Sequence, residues 1–167
     1  MVNINIVADK AKLGIFFVFL ALLAESCEND KNDVIPDVYI EFTMDITGDI
    51  LFSSLSAIGN SVIITSQTNN WGRYSAGYNY NGIIVYRTQL DGFSPEFYAY
   101  DRTCPHDYSI DESGVKINID FIQAICPKCS TVYELSVGGV PSSGPGRYPL
   151  KNYKTIYDGR YLRVWNY

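Results

Sequence analysis

Two short cysteine-bearing segments set the terms for any fold this chain adopts: Cys104-Pro105-His106 and Cys126-Pro127-Lys128-Cys129. They hold three of the four cysteines and the only histidine of a 167-residue chain. Thiolates and imidazoles bind zinc and iron–sulfur clusters, whereas oxygen-only sites suit magnesium and calcium. The fold must therefore bring two loops to one point and hold them there. Three chemistries are open at that point: an iron–sulfur cluster, a closed tetrahedral zinc site on three cysteines and a histidine, or a disulfide with no metal. Once Cys27 is set aside three cysteines remain, an odd number that a disulfide framework does not use up.

Around those loops the pattern is β. From Asp37 to Thr43, Val38, Ile40 and Phe42 alternate with Tyr39 and Glu41, as on a half-buried strand. Ser61–Thr65 is rich in β-formers, and Gly82–Thr88 is a short apolar run bounded by turn residues. Val115, Ile117 and Ile119 alternate with Lys116, Asn118 and Asp120, which places a strand between the two loops, and Phe121–Ile125 runs straight into Cys126. Asn81-Gly82, Asp91-Gly92 and Asp158-Gly159 are hairpin-turn signals. Residues 138–146 read as a long flexible loop, and Leu51–Ile58 is the one candidate for a short turn or helix. The Tyr-, Asn- and Gly-rich stretch 69–82 reads as a loop in which Tyr78 and Tyr80 pack on a following strand; the alternative is an exposed aromatic platform.

Beyond the ligands, the chain resembles the Rieske [2Fe–2S] family from about residue 60 to its end. Residues 82–87 and Phe97–Asp101 resemble the strands that lead into a Rieske ligand loop, and Ser130-Thr131-Val132-Tyr133 resembles the family's Gly-Ser-x-Tyr run. Gly144-Pro145-Gly146 resembles its Gly-Pro loop, and residues 150–153 followed by 158–164 its closing hairpin. The resemblance implies an all-β, antiparallel β-sandwich carrying a small two-loop metal- or cluster-binding subdomain. It implies Cys104, His106, Cys126 and Cys129 as ligands of a [2Fe–2S] cluster. It also implies Thr131 and Tyr133 as hydroxyl donors to the sulfurs, and Pro145 in a loop that covers them. Cys129 stands where the family has its second histidine; this adds a negative charge and lowers the expected potential. Ser130 stands at a family glycine, and restricts the loop if the backbone there needs positive φ.

Residues 1–26 read as a signal peptide: Lys10 and Lys12 precede the apolar run 13–23, which at eleven residues is short for a bilayer span. Leu23-Ala24-Glu25-Ser26-Cys27 resembles a bacterial lipobox, with Cys27 the lipidated residue, and 27–36 a polar tether. The β domain then spans 37–167. These features imply a lipid-anchored protein of the bacterial cell envelope, and the Rieske resemblance implies a one-electron carrier serving a redox partner protein. A zinc or disulfide form of the site implies instead a binding or accessory lipoprotein. A net charge of −5 sets the chain against nucleic acid as a partner.

Overall fold

Ile83–Arg87 is an apolar strand buried on both faces, and the rest of the fold is arranged around it. The computed structural model describes residues 34–89 and 96–167. The expected signal peptide, Cys27, most of the expected tether and the Asp91-Gly92 turn signal lie outside the described residues. In chain order the strands are β1 (Glu41–Asp45), β2 (Ser61–Ile64), β3 (Ile83–Arg87), β4 (Phe97–Asp101), β5 (Asn118–Asp120), β6 (Gln123–Ile125), β7 (Val132–Glu134), β8 (Val140–Ser143), β9 (Asn152–Tyr157) and β10 (Tyr161–Trp165). A short helix, α1 (Pro105–Asp111), lies between β4 and β5.

Six strands form one antiparallel sheet in the order β1-β10-β9-β4-β3-β2, and the other four form a meander, β5-β6-β7-β8. Side chains from all six strands of the large sheet meet in one apolar cluster. It includes Phe42 and Met44 of β1, Ile64 of β2, Ile83 and Val85 of β3, Phe97 of β4, Tyr153 of β9 and Leu162 of β10. Strands at opposite edges of a sheet share a core only when the sheet curls on itself, which its twist permits. The alternate residues Ile84, Tyr86 and Tyr100 point the other way, into a second cluster with Cys104, Ile117, Ala124, Cys126, Tyr133, Leu135 and Leu150. The period of two along β3 and β4 thus makes one wall shared by two cores.

The strands expected at 37–43, 61–65 and 82–88 are present as β1, β2 and β3, with β1 shifted toward its C-terminal side. Asp158-Gly159 closes the β9–β10 hairpin, where Gly159 takes φ +99° and the Asp158 carboxylate accepts the backbone N–H groups of Arg160 and Tyr161. Four expectations need correcting. Asn81-Gly82 does not make a tight hairpin, since β2 and β3 are joined by the whole stretch 65–82, wound as successive 3-10 turns. Phe121 is not part of the strand entering Cys126. It sits at φ +52° in the β5–β6 turn and is exposed. The stretch 138–146 contains β8, whose Pro141 is tolerated because β8 is an edge strand. Finally α1 is a helix that alternating hydrophobicity could not reveal, because only its first turn carries the signals: Pro105 at the first helical position and Asp107 behind it.

Within 69–82, Trp71 stacks on Phe42 and Phe52, and Tyr78 packs edge-on against Tyr108 of α1. The stretch is a loop as expected, but Tyr78 packs on the helix α1 rather than on a following strand, and Tyr80 is exposed.

Candidate metal centre

The first ligand loop is anchored by a buried carboxylate. Asp101, the last residue of β4, is fully buried and accepts hydrogen bonds from the Tyr153 hydroxyl (2.6 Å), the Tyr78 amide (2.6 Å) and the Thr103 amide (2.9 Å). Burial raises its pKa, and these donors offset part of the rise. From there Cys104 donates its amide to the Val115 carbonyl, and Ile117 donates to Arg102, so both ends of the excursion are tied. Cys104 is the residue before α1, and α1 carries His106 and Asp107 as neighbours. Successive helical residues diverge by about 100° around the axis, so the two side chains cannot face the same point. Asp107 is the one turned inward, its side chain 5% exposed.

The second loop turns back on itself at once. Cys126 directly follows β6, the Ser130 amide donates to the Cys126 carbonyl, and the Cys126 amide donates to the Thr131 carbonyl. The tight turn puts Ser130 at φ +60°, the conformation a glycine adopts without strain. Backbone N–H groups of Lys128 and Cys129 face the Cys126 sulfur, and that of Asp107 faces Cys104. Amides directed at sulfur favour the thiolate form, the form that binds metal.

The loops meet at three free thiols and one carboxylate. The ligand atoms of Cys104, Asp107, Cys126 and Cys129 all lie within 4.8 Å of one another. The Cys104 and Cys129 sulfurs are 3.7 Å apart, and the Cys126 thiol donates to Asp107 Oδ2 at 2.9 Å. Burial is the main cause that pushes the Cys104 thiol up to about 11, and it also raises Cys126. Burial raises Asp107 as well, but hydrogen bonds from the Cys126, Cys104 and Cys129 thiols outweigh it and hold the carboxyl below its usual range. Lys128 Nζ lies 4.0 Å from Asp107 and 2.7 Å from Asp111.

Hydroxyls surround the sulfurs. The Tyr133 hydroxyl lies 3.5 Å from the Cys104 sulfur. Thr131 Oγ1 lies 3.2 Å from that of Cys129 and accepts the Gly146 amide at 2.9 Å. The loop carrying Gly144 and Gly146 presses on Thr131 so closely that a Cβ at Gly146 would fall 2.5 Å from Thr131 Cγ2. A Cβ at Gly144, where φ is +86°, would fall 2.7 Å from Thr131 Cα.

The structure therefore brings together three of the four sequence-derived ligands, Cys104, Cys126 and Cys129, with Thr131 and Tyr133 against them. His106 is half-buried and outside the group. Pro145 is exposed, and the contacts of its loop with Thr131 are made by the flanking glycines. Asp107 is the residue sequence reasoning missed. The available signal was its place in the first turn of a Pro-initiated helix, one position after the histidine. Soft thiolates with one carboxylate suit zinc or iron. The resemblance assigns the fourth ligand of a [2Fe–2S] cluster to His106, whereas the fourth donor of this group is Asp107.

No protein-family model and no curated protein matches the chain. Solved structures similar to it are Rieske and ferredoxin proteins. One is a complex of reduced oxygenase and oxidized ferredoxin in carbazole 1,9a-dioxygenase (18% identity, 75% of this chain and 93% of that one, TM-score 0.44). Another is a ferredoxin of Sphingomonas yanoikuyae B1 (15%, 68% and 94%, TM-score 0.41). A third is the plasma membrane Rieske protein of Synechocystis PCC 6803 (19%, 63% and 97%, TM-score 0.42).

Proposed function

We propose that this protein is a metal-centred electron carrier, in which the two loops hold iron and exchange one electron with a partner protein at the cell envelope. The observation that supports it is the convergence of Cys104, Cys126 and Cys129 from two separate loops, with the Tyr133 and Thr131 hydroxyls at two of the sulfurs. Iron held by thiolates supplies a reversible one-electron couple, tuned by hydrogen bonds to its sulfurs. The residues around it have separable tasks. The three thiols bind. Tyr133 and Thr131, turned to donate once the thiols are ionised, disperse negative charge from sulfur. Burial of Cys104 and Cys126 excludes water. No catalytic residue is part of the proposal.

The envelope location rests on the sequence, on the apolar run 13–23 and the lipobox-like residues before Cys27, and its proposed membrane anchor is a lipid on Cys27. Mass spectrometry of the N-terminal peptide checks it, with diacylglyceryl on Cys27 expected and an unmodified cysteine contradicting it.

A second reading, structural zinc with a binding or accessory role, is favoured by one observation: the four donor atoms lie within 4.8 Å of one another, grouped around a single point where one tetrahedral ion could sit. Visible absorption and electron paramagnetic resonance of the purified protein separate the two. The carrier reading predicts sulfur-to-iron charge-transfer bands that bleach with dithionite and return on reoxidation. A colourless, zinc-loaded protein would leave the second reading.

A further inference from the structure

We infer that the site is built for one metal ion, held by Cys104, Asp107, Cys126 and Cys129, with Asp107 and not His106 as the fourth ligand. The inference deepens the metal-centre reading above and rests on it.

The first argument is distance. A tetrahedral ion with metal–sulfur bonds of about 2.3 Å sets its thiolates about 3.8 Å apart. The Cys104 and Cys129 sulfurs lie 3.7 Å apart, and all four donor atoms fall within 4.8 Å of one another. In a Rieske-type arrangement those two residues serve different irons, with bridging sulfides between them. Here they form the close pair, as two ligands of one ion would.

The second argument is Asp107. Its side chain is 5% exposed and aimed into three thiols, and the nearest cation, Lys128, is 4.0 Å away and engaged at 2.7 Å with Asp111. A buried carboxylate among groups that themselves ionise to bind metal is costly without a cation among them. A divalent ion in the middle of the group neutralises half of the four negative charges, and Lys128 stands at its edge to offset part of the rest. The third argument is the helix: a side chain one position earlier on α1 points about 100° away, so Asp107 facing the sulfurs leaves His106 facing elsewhere.

The test uses Co²⁺ and Zn²⁺ as probes on the whole protein. Cobalt in a thiolate-rich tetrahedral site gives intense visible bands, and chelator competition gives the zinc affinity. One ion per chain is expected, with His106→Gln leaving bands and affinity unchanged. Loss of residues that merely support a ligand weakens metal binding by about 10–100-fold, so Asp107→Asn is expected to weaken zinc binding at least about tenfold and to shift the cobalt bands. Asp107→Glu, which keeps a carboxylate, is expected to restore binding in part, and circular dichroism of each variant separates ligand loss from misfolding. Metal loss in His106→Gln with binding intact in Asp107→Asn would overturn the assignment. So would two irons and two sulfides per chain, although the carrier reading would stand. Failure of the wild-type protein to take up either probe, or iron, would overturn both.

Discussion

The large sheet and the small meander stand on different physics. The six-stranded sheet is closed by Phe42, Met44, Ile64, Val85, Phe97 and Leu162, and its structure is a matter of apolar area removed from water. The meander β5-β6-β7-β8 has strands of three or four residues, and the core it packs into includes two buried thiols, Cys126 and the Cys104 of the first loop, with the Tyr133 hydroxyl facing Cys104. What fixes its loops is polar and steric: amides aimed at sulfur, a carboxylate against thiols, two glycines against a threonine. The difference teaches that the scaffold can fold without the site's chemistry, while the loops depend on it.

The largest effect should come from the scaffold and be blind to metal. Phe52 is 1% exposed and stacks on Trp71. Phe52→Ala is expected to cost about 3–5 kcal/mol of unfolding free energy, with the same loss in metal-loaded and metal-free protein by urea titration. A loss confined to one form would break the separation.

The next effect belongs to the loops. Gly146→Ala would drive a methyl into Thr131 and is expected to cost about 1–3 kcal/mol and to weaken metal binding, while the large sheet keeps its hydrogen-exchange protection. Gly159→Ala meets no atom within 4 Å and suffers only from its φ of +99°. Its expected cost is about 1 kcal/mol, with no change in metal affinity. Equal effects on metal binding from the two substitutions would contradict the account.

Tyr153→Phe probes the seam, since Tyr153 belongs to the large sheet and Asp101 leads into the first ligand loop. The expected loss is about 1–3 kcal/mol, and it should depend on pH. Burial raises Asp101, so the native state holds that proton more tightly than the unfolded chain, and stability contributed by Asp101 falls as pH rises from the unfolded carboxyl value through the raised native one. The Tyr153 hydroxyl donates to the carboxylate and eases that fall. The deficit of Tyr153→Phe should therefore widen with rising pH, and a deficit independent of pH would remove Asp101 ionisation from the account.

The smallest effect is a gain. Ser130 sits at φ +60°, and Ser130→Gly relieves left-handed strain at the cost of unfolded-chain entropy. A net stabilisation of up to about 1 kcal/mol is expected in thermal denaturation; a loss of that size would mean the serine side chain matters to the loop.

Sequence alone reached the scaffold more easily than the site, for the same physical reason. Alternation in β1 and the unbroken apolar run of β3 are direct consequences of burial on one face and on two, so period and composition report them. Cys104, Cys126 and Cys129 were legible because thiols at that spacing have few other uses. Ser130 was legible as a strained position, and the backbone has the positive φ that strain implies. Asp107 was not legible, because whether residue 106 or 107 faces the sulfurs depends on the rotation of α1, and a seven-residue helix leaves too little periodicity to read. β8 was hidden by the Gly- and Pro-rich stretch 138–146 around it, a composition that describes an edge strand and a loop equally well.

The most direct test of the metal centre is the content of iron, zinc and acid-labile sulfide per chain in the purified protein. The account predicts one metal ion per chain and no labile sulfide. Two irons with two sulfides would restore His106 to the ligand set and contradict the single-ion site.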